Sequence, residues 1–188
     1  VVETGEKLRL DVKFVEGMRV QQALWPSRIT VLLRRGAPGI PFGRDYDRAE
    51  LPFDLVLIDR DEVITSRHLT GHGLIYAGAD DYHCLCLTDH LQPGQKIVYA
   101  IEYTHETRIQ ILGLDRDRRM LSRLKGGFWL KSQEQRRLKA FRAADALQAN
   151  GYPAHEAYGP LCADTLLYLD GRMTPDLFAT EAEMAARE

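Results

Sequence analysis

Lys7-Leu8-Arg9-Leu10-Asp11-Val12-Lys13-Phe14 is the stretch from which the fold is first read. Leu8, Leu10, Val12 and Phe14 alternate with Lys7, Arg9, Asp11 and Lys13. A period of two marks a strand with one face on a core and the other in water. The rhythm returns at Ile29, Val31 and Leu33, and again at Phe53, Leu55 and Leu57, where Val56 and Ile58 make the opposite face apolar too. Residues 62–69, 73–77 and 82–88 are further short strand candidates. Pro93-Gly94 signals a turn. The β-rich run from Ile97 to Tyr103 then leads through Thr104-His105-Glu106, read as a hairpin loop, into a return strand from Arg108 to Leu112. The glycine- and proline-bearing segment Gly36 to Gly43, with the polar residues up to Glu50, reads as one long loop, a kind of connection that often carries function.

After Asp115 the pattern becomes helical. Asp115 or Asp117 caps a short helix carrying Met120, Leu121 and Leu124, which Gly126-Gly127 stops. Ser132 and Gln135 form a capping box for a helix to about Asn150, with Leu138, Phe141, Ala144 and Leu147 inward. Pro160 opens a helix over 160–169, and Thr174-Pro175 opens a terminal one that runs into an Ala- and Glu-rich segment. Strands first and helices second imply an α+β fold: an N-terminal antiparallel β-sheet or partly open barrel followed by C-terminal helices packed on it. On this reading residues 1–188 are a single domain, β-rich over 1–114 and helical over 115–188.

Composition agrees with a globular chain. Apolar residues make up 45% and charged residues 28%, which excludes a disordered, collagen-like or disulfide-scaffold protein. No apolar run approaches the about 18 residues of a membrane span. Glu3, Glu6, Lys7 and Arg9 interrupt any signal-peptide core at the start. Three cysteines, an odd number, without a leader imply reduced thiols and a cytoplasmic setting.

Charge is distributed unevenly. Between Arg116 and Arg142 ten basic residues face only Asp117 and Glu134, a local charge of +8 that leaves −10 for the rest of a chain whose total is −2. Such a segment attracts a polyanion while the remainder repels it. The expected nucleic-acid-binding footprint is Arg116, Arg118, Arg119, Arg123, Lys125, Lys131, Arg136, Arg137 and Lys139, since cations on phosphates release counterions. Phe128 and Trp129, read as a loop after the paired glycines, are the stacking candidates. The helices read at 132–150 and 160–169 are joined by too long a link for a standard helix-turn-helix.

A second constellation is weaker. His68, His72, His83, His90 and His105 lie in one window with Cys84 and Cys86 among them. The cysteines form C-x-C rather than the C-x-x-C of a zinc knuckle, and Cys162 is distant, so no metal and no cofactor is assigned. Asp59-Arg60-Asp61-Glu62 reads as an acidic turn. No catalytic residue is assigned, for G-x-S-x-G, H-E-x-x-H and P-loop patterns are all missing. Gly39-Ile40-Pro41-Phe42 and the later Cys86-Leu87 resemble the core of ubiquitin-conjugating enzymes. The resemblance implies a β-meander and a thioester role for Cys86. The chain departs from that pattern in having no His-Pro-Asn before the cysteine, no Trp after it and a strand in place of the N-terminal helix.

The sequence therefore implies a non-enzymatic binding protein that holds DNA, RNA or another polyanion through its basic helical segment, as a subunit of a larger complex. The alternatives are an assembly or adaptor subunit docking an acidic protein partner, and a cysteine- or zinc-dependent enzyme.

Overall fold

A computed structural model describes residues 1–4, 7–36, 39–40, 42–114, 120–169, 179–180 and 184–185. The chain divides into two compact units, Val1–Val63 and Ile64–Glu188. The architecture is an α+β mix, with an antiparallel sheet at the N-terminus and the long helix in the C-terminal unit.

In the first unit β1 (Val2–Thr4), β2 (Lys7–Asp11) and β4 (Gly43–Tyr46) form the antiparallel sheet in the order β1-β2-β4. β3 (Thr30–Arg34) and β5 (Asp54–Ile58) form a separate parallel pair. The alternation from Lys7 to Phe14 predicts one continuous strand, but the strand stops at Asp11. The Asp11 carboxylate accepts the N–H groups of Lys13 at 2.7 Å and Phe14 at 3.3 Å, which caps α1 (Val12–Leu24). Val15 and Met18 then reach the core at helical spacing beside Leu8, Leu10, Tyr46, Leu51 and Phe53. Phe14 meets the edge of Phe53, with ring centroids 5.8 Å apart. The long loop expected over 36–50 contains β4 and a short 3₁₀ turn, Arg48–Glu50. Gly43-Arg44-Asp45-Tyr46 has no β-branched residue, so only pairing to β2 makes it a strand.

In the second unit β6 (Leu74–Gly78), β7 (Lys96–Ile101), β8 (Ala146–Asn150) and β9 (Thr165–Tyr168) lie in sequence order, every pair parallel. Parallel neighbours need long crossovers. These are a 3₁₀ stretch over Tyr82–His90, the helices α3 (His105–Leu114) and α4 (Met120–Arg142), and α5 (Tyr152–Tyr158). α2 (Ser66–Leu69) precedes β6. The crossovers cover the face that carries Ile97, Tyr99, Ile101, Leu147 and Ala149, all buried. Tyr99, Phe141 and Tyr158 tie β7, α4 and α5 together, with successive ring centroids 5.8 and 5.2 Å apart.

Several expectations are corrected here. The hairpin return over 108–112 is α3, because the Thr104 hydroxyl accepts the Thr107 N–H at 3.1 Å and starts a helix. Residues 62–69 hold α2 rather than a strand, and 82–88 fall within the 3₁₀ stretch. Gly126-Gly127-Phe128-Trp129 lies inside α4. Two interior glycines weaken a helix by about 1 kcal/mol each relative to alanine, which is why the sequence reads as a break. α4 ends at Arg142, so Leu147 belongs to β8. The helix read over 160–169 is a 3₁₀ turn at Gly159–Leu161 followed by β9, so no helix-turn-helix forms. Of the terminal helix read from Thr174 only four residues are described: Met184 and Ala185 are helical, but Ala179 and Thr180 are not, so the helix is not continuous from Thr174.

The buried face of α4 holds Gln133, Glu134, Arg137, Ala140 and Phe141, a stripe at helical spacing. Arg137 is 2% exposed. Its guanidinium pairs with Glu134 at 2.6 Å and donates to the Ala79 carbonyl oxygen at 3.2 Å. Removing one member of a buried pair strands the other charge. Arg137→Ala is therefore expected to lower the unfolding free energy by about 3–5 kcal/mol, while Asp11→Ala, which removes only a cap, lowers it by about 1 kcal/mol. Urea unfolding of the two variants, followed by circular dichroism, tests that order.

Candidate functional site

The hairpin formed by α3 and α4 is where the sequence's charge and the structure's exposed apolar surface coincide. Its root is held by polar contacts at the carboxyl ends of β6 and β7. The Asp80 carboxylate accepts the N–H groups of Glu102 at 3.0 Å and Tyr103 at 3.2 Å, and pairs with Arg108 on α3. The Arg108 guanidinium also lies over the Tyr103 ring, 5.8 Å from its centroid. The His105 N–H donates to the Tyr158 hydroxyl at 2.9 Å. Arg137 fixes the far half of α4 to Ala79. Of these residues the sequence singled out Arg137 for its charge and His105 as part of the histidine window. For the rest the one available signal was an acid, Asp80, just after a predicted strand.

Away from the root the hairpin changes character. α3 has no buried residue, and none occurs on α4 before Gln133. Ile109, Leu112, Met120, Leu124 and Phe128 nevertheless line a groove of about 440 Å³, together with Arg123 and Lys131. Gly113 and Gly127 line it as well, and a methyl group at either would meet nothing within 4 Å. Phe128 is 74% exposed. An apolar helix face of this kind normally packs against something.

The expected nucleic-acid footprint is split by the fold. Arg137 is withdrawn into the core, where no phosphate reaches it. Arg136 donates to the Gln133 side chain at 3.1 Å, and Lys139 pairs with Asp89 at 3.0 Å across solvent-exposed ground. Lys125, Lys131 and Arg142 are exposed, and Arg123 is half-buried at the groove. Arg116, Arg118 and Arg119 lie outside the described residues. Phe128 and Trp129 are helical rather than on a loop, and they divide: Phe128 lines the groove, while Trp129 meets Tyr82 edge-on at 5.2 Å.

The histidine and cysteine window does not converge. Among the described residues no group of three or more His, Cys, Asp or Glu side chains could hold a metal ion. None of the three cysteines forms a disulfide. Cys86 sits in the 3₁₀ stretch with its thiol donating to the His83 carbonyl oxygen at 3.4 Å. The meander implied by the likeness to ubiquitin-conjugating enzymes is not formed: β6 and β7 are parallel. Among the described residues no helix is long and apolar enough to cross a membrane.

Burial pushes the Tyr158 hydroxyl up to about 12, helped by the neighbouring Glu134 carboxylate. Burial also raises Tyr99, whose hydroxyl donates to the Cys84 carbonyl oxygen at 2.9 Å. A raised tyrosine favours the folded state in its neutral form. That contribution is complete below pH 10, the ordinary tyrosine value, and is lost as pH rises through about 12. Ionisation of these two tyrosines, followed at 295 nm, is expected to coincide with loss of the far-ultraviolet dichroism of the second unit; ionisation with the dichroism intact would contradict it.

Comparison of the chain with protein-family models, with curated proteins and with solved structures finds no match.

Proposed function

We propose that the chain is a non-enzymatic assembly protein that docks a protein partner through the α3–α4 hairpin. The observation that carries this reading is the groove: a mainly apolar channel, lined also by Arg123 and Lys131, built on helices that bury nothing of their own before Gln133. Helix-in-groove recognition uses this combination, with apolar anchors for affinity and charges at the rim for orientation and rate. A cytoplasmic setting suits it, since the three cysteines form no disulfide.

A second reading, contact with nucleic acid or another polyanion, is favoured by the +8 charge between Arg116 and Arg142 and by exposed Lys125, Lys131 and Arg142. The withdrawal of Arg137, the Lys139–Asp89 pair and the apolar lining of the groove weigh against it as the main role.

The test is a photo-crosslinking amino acid at Phe128, with Tyr152 of α5 as the control position. Protein adducts at position 128 alone are expected. Nuclease-sensitive adducts would move the function to the second reading, and no adduct above the control would sink both. Anisotropy with labelled DNA and RNA at about 50 and 200 mM salt, the range where phosphate-dominated binding changes most, separates the two further.

A further inference from the structure

The lining of the groove selects the kind of protein that can fill it. Its charged members, Arg123 and Lys131, are both basic. From Arg108, which pairs with Asp80, to Lys131, the described residues of α3 and α4 include no carboxylate, and Lys125 stands exposed beside Leu124. Met120, Leu124 and Phe128 follow one another at four-residue spacing along α4, with Met120 76% and Phe128 74% exposed. Gly113 and Gly127 leave open space where side chains would stand, so the backbone of an incoming element can come close. The lining runs along α4 from Met120 to Lys131, about 17 Å at 1.5 Å per residue, or about three helical turns.

We propose that the occupant is an acidic amphipathic helix of another protein, about three turns long, a claim that rests on the protein-docking reading above. Its apolar side covers Met120, Leu124 and Phe128, and its carboxylates meet Lys131 and the neighbouring Lys125. A helix fits where a strand does not. The backbone groups of α3 and α4 are bonded within their own helices, so an extended segment laid between them would bury its N–H and C=O groups unpaired, whereas a helix satisfies its own. A bilayer surface is flat and does not enter a groove. Charge sets the sign: a basic helix with the same apolar side meets Lys125 and Lys131 as like charges and is rejected. The longer described helices of this chain do not qualify as occupants, for α1 carries Lys13 and Arg19 against Glu16, α3 carries Glu106 against Arg108, and α4 is basic. The partner is therefore a different protein and not a second copy.

Binding of two labelled peptides to the full chain, read by fluorescence anisotropy, tests this. Each has about 15 residues, long enough to populate a helix. Each carries leucine at i, i+3, i+4 and i+7 spacing on one side; on the other side, among alanines, one carries glutamate and its twin lysine. The glutamate peptide is expected to bind about tenfold more tightly than the lysine peptide, a difference that shrinks as salt screens the charges. Phe128→Asp removes an anchor and is expected to weaken the glutamate peptide about tenfold. Lys125→Glu combined with Lys131→Glu is expected to reverse the preference, which a loss of fold could not do, and circular dichroism checks that both variants are folded. Equal binding of the two peptides, or an unreversed preference in the double variant, overturns the acidic assignment. Binding of neither peptide overturns the helical partner; if protein adducts still form at position 128, the docking reading stands with another kind of occupant, and if they do not, that reading falls as well. Phosphatidylserine vesicles are the last arm: vesicle binding that Phe128→Asp abolishes, without peptide binding, overturns the proposal and gives the surface to a membrane.

Discussion

The buried guanidinium of Arg137 sets the geometry on which the second unit depends. A charge 2% exposed survives only with partners, and here Glu134 and the Ala79 carbonyl oxygen supply them. Because Ala79 follows β6 and Glu134 lies one turn earlier on α4, the pair fixes the rotation of the helix about its own axis. Gln133, Glu134, Ala140 and Phe141 are then the residues that turn inward. The same rotation, carried back along a continuous helix, decides how Leu124, Phe128 and Lys131 are presented.

That constraint separates the two halves of α4. The far half is spent on the sheet, where Phe141 packs between Tyr99 and Tyr158. The near half packs on α3, meets Tyr82 through Trp129, and lines an apolar groove to which Arg123 and Lys131 also contribute. Asp80 with Arg108, and Tyr158 with the His105 N–H, anchor the start of α3 at the carboxyl ends of the strands. The root is rigid and polar and the rest is apolar and exposed, the arrangement of a surface made to be covered. Basic charge here belongs to a mainly apolar channel more than to a continuous phosphate-binding stripe, because the fold takes Arg137 inside and sets Lys139 against Asp89.

Strand residues with clear alternation were legible in the sequence. Ile29 to Leu33 and Phe53 to Ile58 became β3 and β5, and residues 73–77 became β6 with a shift of one. Illegible elements were those whose local signal pointed elsewhere. Arg108 to Leu112 has strand-like residues, yet the Thr104 hydroxyl starts a helix there. The paired glycines at 126 and 127 signal a stop, yet α3 packed alongside and the sheet beyond hold the helix through them. The candidate surface was half legible: its charge could be counted, but its apolar groove depends on α3 existing.

By itself the sequence determined the α+β mix, the +8 charge from Arg116 to Arg142 and the candidacy of Phe128, because composition and short-range periodicity are local properties. Only the tertiary structure decided that the second sheet is parallel and that Arg137 is a core residue. It also decided that Phe128 lines a groove while Trp129 meets Tyr82. Strand direction, burial and side-chain facing are set by contacts between residues far apart in the chain, and no window of sequence contains them.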